Sequence, residues 1–269
     1  MRQQSSVARL LASAAVAAIL AVGLGGCQTA MSDITGSLSP KAETGPDADP
    51  RRSADVYGER YRANPKDADA ALLYGQALRA TAQRSQAVAV LEQATIAHPG
   101  NKALLAGYGR ALADNGNFQQ AFDVLTRSHS PDNPDWRILS VQGTVLDQLG
   151  RHDEARRYYE SALKIVPEEP SVLSNLGLSY VLSRDLPKAE EALRRAYGST
   201  RADARVRQNL ALVVGLQGRF AEAEGIVKAD LPAEEAAANV AYLKQLLSRK
   251  DSPRNGAGTV PVASLNRPN

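Results

Sequence analysis

The groups in this chain able to do chemistry are few and widely spaced. Its one thiol, Cys27, stands two glycines after the apolar run Leu10–Leu24. With no second cysteine, a disulfide within the chain is excluded, and acylation of the sulfur is the chemistry that suits the position. His98, His129 and His152 have no neighbouring cysteine or histidine at metal-ligand spacing, so no zinc site is expected. His98 precedes a proline, and His129 lies in the irregular stretch SHSPDNPDW. His152 takes a place held elsewhere by Phe118, Leu186 and Phe220, and is expected to pack as an aromatic. The pairs Glu168–Glu169, Glu190–Glu191 and Glu234–Glu235 fall beside helix starts or on solvated faces, where acids complement the helix dipole. No phosphate-cradling glycine loop or nucleophile elbow occurs. The expectation is a protein that is not an enzyme, with no catalytic residue, metal, cofactor or small-molecule substrate. Asn175 and Asn209 differ in kind from these groups. A carboxamide donates and accepts together, so two of them spaced along a groove could clamp the backbone of an extended peptide.

Those asparagines are 34 residues apart, and the same pitch runs through most of the chain. Gly75, Gly109, Gly143 and Gly177 follow it, with Ala211 at the next step. Twelve residues after each comes Ala87, Ala121, Ala155, Ala189 or Ala223. Large apolar residues keep the same spacing at Leu78, Leu112, Leu146, Tyr180 and Val214, and at Leu91, Leu125, Tyr159, Leu193 and Val227. This period is that of the tetratricopeptide repeat, a helix–turn–helix unit that stacks into a solenoid. Small residues let paired helix axes approach to about 8–10 Å while the large ones fill the grooves. The expected fold is all-α, a right-handed superhelical solenoid with a C-terminal capping helix.

The organisation expected along the chain is a leader over 1–26, Cys27 and a disordered tether over 27–52, and a half-repeat over 53–67. Five repeats plus the capping helix fill 68–248, and a disordered tail covers 249–269. Full units occupy 68–101, 102–135, 136–169 and 170–203. A fifth, 204–230, ends irregularly, with Asp230 where a small residue belongs. The capping stripe is Ala236, Val240, Leu243 and Leu247. Gly116, Gly150 and Gly218 suit left-handed turns inside units. Ala82 and Arg184 hold that place in two units, whose helix ends are expected to fray.

In such a solenoid the first helix of each unit lines the inner groove. Its first half is polar and basic, with Gln76, Arg79 and Arg110. Its second half adds Gln208 and an apolar strip of Leu178, Val181, Leu182, Leu212 and Leu216, with Asn175 and Asn209 a turn away. The strip is expected to be an exposed binding surface unless the capping helix folds over it. The formal net charge is +3, two units of it from Arg2 and Arg9. No basic cluster interleaved with aromatics occurs, so nucleic acid is not expected as a partner.

Two resemblances narrow the role. Leu24-Gly25-Gly26-Cys27, behind Arg2, Arg9 and a run too short to span a bilayer, resembles the bacterial lipobox. It implies cleavage before Cys27, lipidation of that cysteine, and attachment to a membrane. Gln28 rather than Asp after it implies the periplasmic face of the outer membrane of a Gram-negative bacterium. The stretches ADARVRQNLALVVGLQGRFAEAE (202–224) and ADLPAEEAAANVAYLKQLL (229–247) resemble the TadD family, repeat lipoproteins of the tight-adherence (Flp pilus) machinery. That resemblance implies a pilotin-like assembly factor whose partners are a pilus secretin or other pilus components. The other readings are a general envelope scaffold serving a different outer-membrane or peptidoglycan-associated complex, and an enzyme using the groove as its active site.

Overall fold

The computed structural model describes residues 49–251 apart from Pro131, with side chains to Ser248. Cys27, the leader, most of the tether and the tail beyond residue 251 lie outside the described residues. The described residues form twelve α-helices. They are α1 (Pro50–Ala63), α2 (Ala68–Ala80), α3 (Arg84–Ala97), α4 (Lys102–Asp114), α5 (Phe118–Ser128) and α6 (Trp136–Gln148). The series continues with α7 (His152–Ile165), α8 (Pro170–Leu182), α9 (Leu186–Tyr197), α10 (Ala204–Leu216), α11 (Phe220–Val227) and α12 (Ala233–Asp251). No strand occurs among them; the one extended pairing is an isolated bridge between Ser130 and Asn133.

Helices pair within units as α2/α3, α4/α5, α6/α7, α8/α9 and α10/α11, and each pair packs on the next. First helices also touch the first helices of neighbouring units, which makes them the inner layer of the superhelix. In α6 every residue from Ile138 to Asp147 is buried. The pitch glycines explain how close the helices come. A Cβ at Gly143 would stand 2.5 Å from Tyr159 Cε1, and one at Gly109 would stand 2.6 Å from Leu125 Cγ.

The pitch also sets where first helices begin. Asp67 accepts from the backbone N–H groups of Asp69 and Ala70, and Asn101 from those of Ala103 and Leu104. Asp135 and Asp203 cap α6 and α10 in the same way. In the fourth unit Glu169 holds that register, and Pro170 starts α8 with its φ already set for a helix. At the N-terminus, Asp49 and Pro50 perform this role for α1, so that helix starts three residues before the expected half-repeat.

The turns inside units correct one expectation. Ala82 (φ 60°) and Arg184 (φ 64°) adopt the left-handed conformation that Gly116, Gly150 and Gly218 take in sister units. Their helix ends are closed rather than frayed. Gln83 N–H donates to Leu78 O at 2.8 Å and Asp185 N–H to Tyr180 O at 2.9 Å, as Asn117 does to Leu112 in the second unit. These bonds satisfy carbonyls that would otherwise be orphaned, which outweighs the modest steric cost of a side chain at positive φ.

Charged side chains tie the last units together. Arg207 donates to both carboxylate oxygens of Asp230, at 2.6 and 2.5 Å, which accounts for an acid where a small residue was expected. Glu190 accepts from Arg219, from Arg194 at 2.7 Å and from Gln217 at 2.9 Å. The Arg219 bond, with help from Arg194 and Gln217, holds its carboxyl down to about 2. A lowered carboxyl stabilises the fold above its ordinary pKa near 4.5, and that contribution fades as pH falls towards 2. Glu190→Gln is therefore expected to cost roughly 1 kcal/mol at pH 7, small because both arginines are largely solvated. The gap between wild type and variant, measured by urea unfolding, should shrink between pH 4.5 and 2.5. A gap that stays constant with pH would exclude this assignment.

Candidate protein-binding groove

The inner face runs from α2 through α4, α6 and α8 to α10, and the expected groove residues sit on it in different states. Gln76 is exposed. Arg79 is almost wholly covered, and its Nε donates to Asp114 Oδ2 at 2.5 Å, joining the first unit to the second. Arg110, one turn before Asp114, is partly covered and has a buried Nε with no hydrogen-bond partner. Burial, reinforced by the charge of Arg79, pulls its guanidinium down to about 10, still well above neutral.

The apolar half differs from expectation. Val181 is 2% exposed and belongs to the core formed with Leu210, Val213, Val214 and Ala236. Leu178, Leu182, Leu212 and Leu216 are half-buried, and none is among the exposed large apolar residues described, which are Val56, Ile96, Ile165, Tyr197 and Tyr242. The strip is therefore not an open hydrophobic surface. The cause is α12. Leu243 fits so closely on α10 that a Cβ at Gly215 would lie 2.5 Å from its Cδ2, and Val240 and Leu216 both pack against the same cluster.

Asn175 and Asn209 are brought into register, but first with the fold itself. Asn175 Nδ2 donates to Ser140 Oγ at 3.2 Å, and Asn209 Nδ2 donates to Ser174 Oγ at 2.9 Å. Each links a first helix to the one before it. Asn175 is buried, whereas Asn209 and neighbouring Gln208 remain half-buried. Each amide retains a carbonyl oxygen with no bond among those described, so Asn209 is the better placed of the two to meet a guest.

Between the two halves lies a polar network that sequence reasoning missed. Asp147 Oδ1 accepts from Ser179 Oγ at 2.8 Å and lies 2.8 Å from His152 Nδ1. Its Oδ2 accepts from the hydroxyl of the fully buried Tyr159 at 3.0 Å. Burial pushes the Asp147 carboxyl up, against the pull of these donors. His152 is thus a polar partner, not the aromatic packing residue expected. His98 Nε2 meets Lys66 O at 2.7 Å, and His129 Nε2 meets Gln142 Oε1 at 3.1 Å, both ties within the scaffold. Among the described residues, no group of three or more His, Cys, Asp or Glu side chains could hold a metal ion.

With this geometry in view, the similarities fall into place. A sequence profile described as the tetratricopeptide repeat matches residues 75–134 and 140–204. Over 84 residues the chain is 36% identical to the uncharacterized protein y4yS of Sinorhizobium fredii, covering 30% of this chain and 45% of that one. Over 138 residues it is 25% identical to BBSome complex member BBS4 of Bos taurus, covering 51% of this chain and 27% of that one. The matches thus span less than half the length of either relative. Among solved structures, PilW, described as a widely conserved type IV pilus biogenesis factor, superposes with a TM-score of 0.62 at 17% identity. That match covers 72% of this chain and 91% of PilW, and at such identity it speaks for the fold alone. The chain is a tetratricopeptide-repeat solenoid, a scaffold of the kind that binds other proteins or peptides.

Proposed function

We propose that this protein is a lipid-anchored, pilotin-like assembly factor, held at the periplasmic face of the outer membrane, that helps a pilus secretin localise or multimerise. The observation carrying this reading is the union of Leu24-Gly25-Gly26-Cys27 behind an apolar leader with a protein-binding solenoid, joined by a tether rich in Ser, Thr, Gly, Pro and Asp. The TadD-like passage over 202–247 and the pilus role of PilW are in keeping with it. Two modest attachments act together. Lipid on Cys27 confines the protein to one leaflet, and the groove engages a partner whose effective concentration is thereby raised.

Cys27→Ser is expected to leave the protein soluble in the periplasm, mislocalise the secretin and reduce pili. Fractionation, a secretin blot and pilus counts by electron microscopy read these effects. Normal pili from a fully soluble variant would overturn the proposal. The second reading, a scaffold for a different envelope complex, draws on the match's breadth, since the repeat profile is shared by proteins of unlike roles. A crosslinked pull-down that recovers envelope proteins but no pilus component would favour it.

A further inference from the structure

The two edges of the solenoid are chemically unlike. Second helices end and first helices begin at the junctions between units, while the turns inside units form the opposite edge. At the turns, Phe118, Leu149, Leu186 and Phe220 are half-buried. At the junctions the large apolar residues come out. Ile96, Ile165 and Tyr197, in the last turns of α3, α7 and α9, are 67%, 40% and 44% exposed. Trp136, the one tryptophan of the chain, starts α6 between them and is partly exposed, with the Arg137 guanidinium 4.6 Å from its ring centroid. Four successive junctions therefore each bring one such side chain to the same edge. Charge follows the same division. At the first four junctions Arg62, Lys66, Lys102, Arg127 and Lys164 are exposed and make no ion pair among the described residues. Against them stand two exposed acids in the same condition, Asp69 and Asp132. Glu168 and Glu169 are matched by Arg195 at 2.5 Å and Arg201 at 2.8 Å, and Glu234 and Glu235 open α12, past this stretch.

We propose that this junction edge rests on the surface of an anionic phospholipid bilayer. The unpaired cations reach the phosphates, and Ile96, Trp136, Ile165 and Tyr197 enter the interface just beneath them. Tyrosine and tryptophan suit that depth because one part of each side chain is apolar and another hydrogen-bonds to water. Spacing as well as charge selects this occupant. A protein interface gathers its apolar side chains into one packed centre, whereas these stand one unit apart along an edge. The choice of a bilayer rests on the anchored reading of Cys27, which would hold the solenoid beside one. The inference goes beyond that reading by fixing which side of the solenoid meets lipid. First helices run from this edge to the other, so docking here keeps their inner face clear of the membrane and open to a partner protein.

The test uses the single tryptophan. Phosphatidylcholine brominated on its acyl chains quenches fluorescence at short range, so Trp136 is quenched when this edge touches lipid and not when the chain is merely tethered nearby. The full chain is mixed with brominated vesicles containing about one third phosphatidylglycerol, and bound protein is recovered by flotation. Wild type should float with Trp136 quenched. Lys66→Glu/Lys102→Glu should lower the ratio of docked to undocked protein roughly 30-fold or more, the scale for two basic groups at an anionic surface. These acids fall beside the starts of α2 and α4, where the helix dipole favours them, so folding is retained. Ile96→Ser/Ile165→Ser/Tyr197→Ser should lower the ratio about tenfold or more. Both variants change only exposed side chains, and their thermal melts should stay close to that of wild type. If one variant does not fold, the other decides. Wild type that fails to float, or floats with Trp136 unquenched, overturns the inference and leaves the edge to a protein partner. Equal quenching in vesicles free of phosphatidylglycerol, or unchanged quenching in the folded variants, overturns it too. Failure here beside a clear Cys27→Ser defect would remove this inference and leave the anchored-scaffold proposal standing.

Discussion

Tyr159→Ala is expected to destabilise the protein by about 3–5 kcal/mol, the range for deleting a fully buried aromatic ring. Tyr159 is 1% exposed, and its ring fills the space that Gly143 leaves open. The substitution has a second component. It withdraws the hydroxyl that donates to Asp147 at 3.0 Å, leaving a buried carboxylate with fewer partners. Tyr159→Leu separates the two, since Leu91, Leu125 and Leu193 hold this place in sister units. It keeps most of the apolar volume and should cost roughly 1–3 kcal/mol, the scale of one lost bond to a buried charge. Adding Asp147→Ala, the residue of the second unit at Ala113, removes the stranded acid and should recover part of that loss. Urea unfolding of these three variants and of Asp147→Ala alone measures each step. Additive losses in the double variant would show that Tyr159 and Asp147 do not act as a pair.

That pair also marks how far the sequence was legible. Residues that meet within one unit, such as Gly143 and Tyr159, repeat with the pitch because every hairpin solves the same packing problem. The helical repeat, the glycine approach and the left-handed turns at Gly116, Gly150 and Gly218 were therefore readable, whereas those at Ala82 and Arg184 were not. Contacts between units were harder, because they depend on how far one hairpin is rotated against the next. Arg79 meets Asp114, Asn175 meets Ser140 and Asn209 meets Ser174, each pair 35 residues apart. A search for polar partners one residue beyond the pitch would have found all three, and would have shown that both asparagines already serve the scaffold. The apolar strip misled for a different reason. Position within the first helix says that Val181 faces inward, but not that the following unit and α12 close over that region. Arg110, by contrast, was placed in the groove by register, yet its unsatisfied Nε emerges only once its neighbours' commitments are counted.

Gly177→Val is expected to cost about 3 kcal/mol, the upper part of the usual range for overpacking. A Cβ there would stand 2.6 Å from Leu193 Cγ and 3.1 Å from the Ala189 carbonyl oxygen. The side chain could shift, but the carbonyl belongs to the backbone of α9 and could move only with the helix. Gly177→Ala should be milder, because alanine favours a helix interior over glycine by up to about 1 kcal/mol. The fifth unit shows how a Cβ can be accommodated. There Ala211 takes the glycine position and Val227 takes the place of Leu193, so a smaller partner faces a larger neighbour. Combining Gly177→Ala with Leu193→Val copies that solution into the fourth unit. The pair should be less destabilising than the two single changes summed, with a coupling of about 1 kcal/mol in a double-mutant cycle followed by thermal or urea unfolding. Strict additivity would mean that Leu193 does not set the need for glycine at 177, and would leave the Ala189 carbonyl as the group that demands it.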